Sequence, residues 1–250
     1  MIRPIPQRRV MDKLDEYMSR LDYPAVERHL LYWLEEARQG NDKRGELFVR
    51  GEMAGHYRKT GERDKAEESA REALRLVDEL GMEGTVSAGT AYVNAATALH
   101  SFGEVERALP LFEKALACYR GRDTDPSLLG GLYNNMGQCL AAAGDFDRAG
   151  EMYNLALEVM KKAPHGELER AITCLNMADA AEARLGMEAA EGEIYRLLDQ
   201  AEALLTLSDA PRDGYFAYVC DKCAPTFAHF GYFLQAEALK KQAEEIYERA

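Results

Sequence analysis

Small and apolar residues recur at helical spacing through residues 86–101 and again through 105–120. In the second stretch they follow the i, i+3, i+4, i+7 spacing of a helix with one apolar face. The four residues from Ser101 to Glu104 lie between the two stretches and include the turn former Gly103. The pattern predicts a helix-turn-helix pair. Because such a pair cannot bury both of its apolar faces alone, it needs neighbours.

Near-copies of the same pair occur along the chain, each marked by a glycine followed five residues later by an alanine. Glycine tolerates the positive φ of a helix end, and a small residue lets two helices approach closely. Gly186 marks a degenerate copy, with Ala189, Ala190 and Glu191 where the alanine should fall. Successive glycines are 42, 41, 42 and 45 residues apart, which predicts a repeat array. The regular markers are Gly61/Ala66, Gly103/Ala108, Gly144/Ala149 and Gly231/Ala236.

The pattern predicts six helix pairs in one continuous domain over residues 1–250. Residues 8–40 form a divergent N-terminal pair that acts as a cap, with Asp22 as a helix N-cap; residues 42–206 form four repeats, and residues 212–250 form the last. Asp125 is a predicted N-cap before Pro126, and Pro225 is expected to kink its helix. The predicted helices are 8–20, 23–38, 43–59, 63–80, 86–101, 105–120, 126–142, 146–162, 167–184, 188–206, 212–229 and 233–248.

The segments AYVNAATALHSFGEVERALPLFEKAL and LYNNMGQCLAAAGDFDRAGEMYNLALEV carry a resemblance to the tetratricopeptide repeat family. The period of about 42 residues resembles the longer repeats of kinesin light chain and of similar bacterial proteins. Pro110 falls where those repeats often have proline. The resemblance implies an all-α fold, a right-handed α-solenoid whose first helices line a concave groove.

In that arrangement one asparagine recurs at a groove-facing position, as Asn94, Asn135 and Asn176, with Asn134 beside the second. An amide offers both a donor and an acceptor, so a ladder of amides can bond the backbone of an extended peptide. In related tetratricopeptide proteins, asparagines at this position hold bound peptides in that way. The alternative is that each amide bonds the neighbouring repeat and fixes the stacking.

Other polar residues fall at or near the same face, and their charge changes along the array. The groove is predicted to be cationic to neutral early and acidic late, with Asp221 or Lys222 at the position of the asparagines in the last repeat. A partner segment is therefore expected to be neutral or basic. The remaining predicted groove residues are Glu52, Arg58, Thr97, His100, Gln138, Asp179 and Glu182.

The net charge of −12 argues against nucleic-acid binding, which needs clustered Lys and Arg. No apolar stretch is long enough to cross a membrane and no signal peptide is visible, so a cytoplasmic protein is expected. The five cysteines form no disulfide framework. Cys220 and Cys223 resemble half of a zinc site, but no second ligand pair accompanies them, and His229 is the only nearby candidate. No metal, cofactor or catalytic motif is predicted.

These features predict a non-enzymatic scaffold that holds a peptide or protein segment in its groove. Two alternatives stay open. The array could self-associate through an open end, using Ala238, Leu239, Ile246 and Tyr247 of the last helix, which would make it a homodimer rather than a monomer. It could also be a peptide-sensing regulator without a DNA-binding domain.

Overall fold

The computed structural model describes residues 2–249 and all their side chains except that of Leu207. In this range the chain forms twelve α-helices and no strand, which confirms the all-helical prediction. Each predicted helix is present, with its ends within two residues of those expected. The helices are α1 (Gln7–Ser19), α2 (Tyr23–Gln39), α3 (Lys43–Thr60), α4 (Arg63–Glu79), α5 (Val86–Ser101), α6 (Val105–Tyr119), α7 (Pro126–Ala142), α8 (Phe146–Met160), α9 (Gly166–Leu185), α10 (Met187–Leu207), α11 (Gly214–His229) and α12 (Phe233–Tyr247).

The chain divides between Thr124 and Asp125 into two compact units. In the first unit α3 packs on α4 and α5 on α6, while α3 also contacts α5. In the second unit the pairs are α7 with α8, α9 with α10 and α11 with α12, and α9 contacts both α7 and α11. The first helices α3 and α5 therefore lie side by side in the first unit, as α7, α9 and α11 do in the second. A single continuous domain over 1–250 stays a prediction.

Each regular turn combines a left-handed glycine with a buried alanine. Gly61, Gly103, Gly144 and Gly231 have φ between 78° and 85°, a range that glycine adopts without strain. The alanine that follows is at most 4% exposed in every case. Its N–H donates to the carbonyl of the N-cap residue four positions earlier, at 3.0 Å in all four repeats. The alanine thus lies one turn into the second helix, where that helix meets the first.

The degenerate copy at Gly186 is a shortened turn. Gly186 alone connects α9 to α10, whereas two or three residues connect the regular pairs. It therefore serves as the N-cap itself, and the buried alanine is again four residues further on. That alanine is Ala190, 2% exposed, while Ala189 and Glu191 are exposed. The N–H of Ala190 donates to the Gly186 carbonyl at 3.1 Å.

Glycine also permits close contact between the two helices of a pair. A Cβ on Gly89 would lie 2.3 Å from Cε1 of Tyr119, and a Cβ on Gly130 would lie 2.5 Å from Cε of Met160. Gly89 and Gly130 occupy equivalent positions, 41 residues apart in α5 and α7. A large residue of the second helix fills the space at both.

The N-terminal segment is held against the first unit by hydrogen bonds. The Arg3 N–H donates to the Gly40 carbonyl at 2.9 Å, and the Ile5 N–H donates to Oδ2 of Asp42 at 2.9 Å. Oδ1 of Asp42 caps α3 by accepting the Gly45 N–H at 2.9 Å. Asp42 is 7% exposed, so both bonds lie away from solvent.

Two predicted N-caps are confirmed and one helix start is wrong. Asp22 and Asp125 cap α2 and α7 through their side chains. The last pair begins at Gly214 rather than at 212, because Asp213 caps α11 by accepting the N–H groups of Tyr215 and Phe216 at 3.0 and 3.1 Å. Beyond this start, α11 continues through Pro225 to His229.

None of the helices in the described residues is long and apolar enough to cross a membrane.

Candidate functional site

The predicted groove residues all lie on the first helices of their pairs. Most are half-buried, as expected for side chains at the border between the packed surface and solvent. The predicted residues are divided between the two units. Glu52 and Arg58 lie on α3; Asn94, Thr97 and His100 on α5; Asn134, Asn135 and Gln138 on α7; and Asn176, Asp179 and Glu182 on α9.

In the first unit, Glu52 and Asn94 meet at a cavity of about 360 Å³. Gly51 also lines the cavity, and a Cβ there would come within 3.1 Å of Nδ2 of Asn94. The absence of a side chain at Gly51 therefore leaves room for the Asn94 amide. Apolar residues complete much of the wall, with Leu47, Phe48, Met82 and Ala91 among them.

The carboxyl group of Glu52 makes no hydrogen bond or ion pair with another residue in the described part of the chain. Burial raises the pKa of its carboxyl group above the usual value, and the nearby Asp15 carboxylate raises it further. A carboxylate that is partly removed from water without a cation is costly to the fold. The cavity thus contains an uncompensated acidic group.

The other predicted residues of the first unit lie outside this cavity lining. His100 is half-buried, and burial lowers its pKa, so the imidazole is neutral near pH 7. Thr97 and Arg58 are half-buried as well.

In the second unit the asparagines are joined to each other. Nδ2 of Asn176 donates to Oδ1 of Asn134 at 3.0 Å, across the α7–α9 contact. Asn134 is only 5% exposed. This hydrogen bond is of the kind that the stacking alternative predicts. It joins Asn176 to the neighbour of Asn135 rather than to Asn135 itself, which is half-buried on the same helix.

The acidic residues of α9 are bonded to α11. Oε2 of Glu182 lies 2.7 Å from Nε2 of His229, and the Thr226 hydroxyl donates to Oδ2 of Asp179 at 3.5 Å. Burial is the largest cause that raises the pKa of Asp179, and the Glu182 carboxylate adds to it. The sequence pattern does not reveal these partners, because they are 47 residues away along the chain.

Solved structures share this arrangement of helix pairs. BtubC (BKLC) from P. vanneervenii superposes with a TM-score of 0.66 at 22% identity, covering 82% of this chain and 83% of that one. A putative kinesin light chain from Podosopora anserina with nearly identical TPR-like repeats gives 0.54 at 19% identity, covering 81% and 95%. The apo form of RapI gives 0.57 at 16% identity, covering 98% of both chains. At these identities the likeness concerns the fold.

Two segments of the sequence match family profiles. Residues 47–121 and residues 131–160 each match a profile of the tetratricopeptide repeat. The chain is a tetratricopeptide repeat protein. Its architecture is an α-solenoid of helix-turn-helix repeats, and tetratricopeptide repeats serve generally as protein-interaction scaffolds. No curated protein sequence matches the chain.

The paired cysteines of this tetratricopeptide repeat protein are core residues. Cys220 and Cys223 are fully buried on α11 in the core of the second unit. Burial raises the pKa of Cys220 to about 12 and also raises that of Cys223. Both thiols are therefore protonated at neutral pH, and packing explains their position.

A different group in the second unit has the composition of a metal site. One ligand atom each from His165, Glu167 and Asp209 lie within 4.8 Å of one another, the one such grouping in the described residues. The Ser208 hydroxyl donates to Oε1 of Glu167 at 2.8 Å, so this carboxylate already has a partner. His165 and Asp209 lie in the connections before α9 and α11, and Glu167 lies in the first turn of α9. Their positions in the sequence do not suggest that the three come together.

Two of the four residues predicted for contact at an open end are not available. Leu239 and Ile246 of α12 are each 7% exposed and pack inside the core of the second unit. Their burial excludes these two side chains from a surface contact with another chain, whereas Ala238 is exposed and Tyr247 is half-buried. The large exposed apolar residues of this helix are Phe233 and Leu234, at 68% and 78%.

Proposed function

We propose that this tetratricopeptide repeat protein is a non-enzymatic scaffold that holds an extended peptide or protein segment on the face formed by its first helices. The observation that carries the proposal is the cavity of the first unit. Two of the residues that sequence analysis predicted for ligand contact, Glu52 and Asn94, line it together. Nothing else in the described part of the chain fills the space beside them.

The Asn94 amide supports the binding of a peptide backbone. It has no hydrogen-bond partner among the described residues, and it is half-buried beside Gly51. An amide can donate to a backbone carbonyl and accept from a backbone N–H at once. An extended segment that crosses the cavity meets both requirements.

The charge of the second unit supports a neutral or basic partner. From Asp125 onward the chain has 21 acidic residues and 11 Lys or Arg, whereas the part before it has 22 and 20. A basic segment is attracted to the excess of carboxylates and an acidic one is repelled. Five buried cysteines that form no disulfide within the described residues suit a reducing compartment such as the cytoplasm.

The test is capture of partners from the native cell lysate by the immobilised protein. Asn94→Ala and Asn135→Ala are each expected to reduce the yield of the partners that wild type captures, with melting of Asn94→Ala unchanged. Asn154→Ala is the matched control, because Asn154 is an exposed asparagine on the second helix α8. Equal yields from wild type and both variants would contradict the proposal.

A further inference from the structure

The cavity of the first unit is polarised along α3. Arg44 and Glu52 both belong to its lining and lie on the same helix. They are eight residues apart, which at a rise of 1.5 Å per residue separates their Cα atoms by about 12 Å. Leu47 and Phe48 lie between them and give the floor an apolar middle.

Neither charged end has a partner within the described residues. The Arg44 guanidinium is exposed and makes no ion pair, although many other arginines of the first unit do. Glu52 likewise has no cation, and the charged group that acts on it is another carboxylate, that of Asp15. The fold therefore leaves one positive and one negative site open at opposite ends of the cavity.

The distance between these sites fits a peptide. An extended chain advances about 3.3 Å per residue, so two side chains about three or four residues apart span the same 12 Å. The Asn94 amide, which reaches the cavity from α5, is placed to bond the backbone between them. Apolar side chains of the segment would cover Phe48 and Ala91.

We propose that this cavity binds an extended peptide segment in which a lysine or arginine pairs with Glu52, and an acidic side chain about three or four residues away pairs with Arg44. The proposal rests on the proposed peptide-binding function and specifies its ligand. A ligand cation supplies the charge that Glu52 lacks, and such charge-assisted hydrogen bonds are the strong ones in recognition. Because the Glu52 carboxylate is already partly removed from water before the ligand binds, pairing it with a cation loses less hydration than pairing a fully exposed carboxylate would.

The first experiment selects peptides from a phage-displayed library of random peptides. Wild type is expected to enrich sequences with a basic and an acidic residue at that spacing. Glu52→Gln should lose the enrichment for Lys and Arg, and Arg44→Gln should lose the enrichment for Asp and Glu. Glu106→Gln is the matched control, since Glu106 is an exposed glutamate on α6 outside the cavity lining, and it should select as wild type does.

The second experiment measures one selected peptide by calorimetry as a double-mutant cycle. Glu52→Gln should weaken binding of the lysine peptide by at least about tenfold, and it should have little effect on the same peptide with norleucine in place of lysine. Equal losses with both peptides would overturn the assignment of the basic residue to Glu52.

The outcomes separate this proposal from the function it rests on. If Glu52→Gln selects the same basic peptides as wild type, the charge assignment is wrong while peptide binding stands. If wild type enriches no peptide at all, both proposals are contradicted. A thermal melt of each variant accompanies the selections, and a variant with an unchanged melting temperature excludes unfolding as the cause of a loss.

Discussion

The Asn176 amide donates one of its two N–H groups to Asn134. The recurring asparagines therefore differ in their hydrogen bonding. Asn134 lies almost out of contact with solvent, so its oxygen depends on that donor. Asn94 has no such bond and faces the cavity of the first unit. Residues that share a sequence register thus differ in what they contact.

We expect Asn176→Ala to destabilise the protein by about 1–3 kcal/mol, because it leaves the Asn134 oxygen without its donor. Asn94→Ala also removes an asparagine side chain, but it leaves no hydrogen-bond partner behind. Its melting temperature should therefore be close to that of wild type. Thermal or denaturant unfolding of the two variants measures the difference. Equal melting temperatures would mean that the Asn134–Asn176 bond contributes nothing to stability.

A leucine at Ala149 should destabilise the second unit by about 1–3 kcal/mol, since Ala149 is 1% exposed where α8 crosses α7. Gly150→Ala provides the control in the next position. A Cβ on Gly150 meets no atom within 4 Å, so alanine there should keep or slightly raise stability. Denaturant unfolding compares them, and an unchanged midpoint for Ala149→Leu would show that the crossing tolerates a larger residue.

At the scale of helices, the ends were predictable wherever one capping residue or turn glycine stood alone. Near α11 two signals compete within a few residues: Pro211 suits a first helical position, but Asp213 makes the cap. The repeat at Gly186 was hard to recognise because its turn is shorter than the others. Its buried alanine still lies four residues after the N-cap, but the N-cap is the glycine itself, so the spacing from glycine to alanine changes. The cavity itself was not predictable, because its depth depends on how α3 and α5 pack and on where the segment after α4 brings Met82.

Asp42 joins two elements, and its loss should loosen both. We expect Asp42→Ala to destabilise the first unit by about 1–2 kcal/mol and to speed amide exchange at Ile5, because two N–H groups lose their acceptor. Asp42→Asn keeps one of the two acceptor oxygens and should fall between alanine and wild type. Hydrogen exchange of the Ile5 amide is the decisive measurement: slow exchange in Asp42→Ala would contradict this role.

At the scale of the whole molecule, charge is unevenly distributed along the chain, and most of the negative excess follows Asp125. A basic segment that binds to the second unit should therefore bind with strong salt dependence. Between about 0.1 M and 1 M salt the screening length falls from about 10 Å to 3 Å, and affinity for a lysine-containing segment should fall with it. Titration calorimetry at several salt concentrations tests this, with a segment in which norleucine replaces each lysine as control. Affinity that is independent of salt would exclude charge attraction as a source of binding.

Burial also changes how self-association has to be tested. Leu239→Glu would place a charge in the core of the second unit, so a change in sedimentation of that variant would report unfolding. Substitutions at Phe233 or Leu234, which are exposed on the same helix, avoid that effect.

The five buried cysteine thiols can report local unfolding of the helix pairs that contain them. Cys118 lies in α6, Cys139 in α7, Cys174 in α9, and Cys220 and Cys223 in α11. Burial raises the pKa of Cys139 and Cys174 to about 11, so a folded helix pair offers an alkylating reagent neither access nor a thiolate. Each cysteine can react only while its own helix pair is transiently open. The order in which the five positions acquire a label, followed by peptide mass spectrometry, therefore ranks the helix pairs by how often they come apart, without adding a probe to the protein.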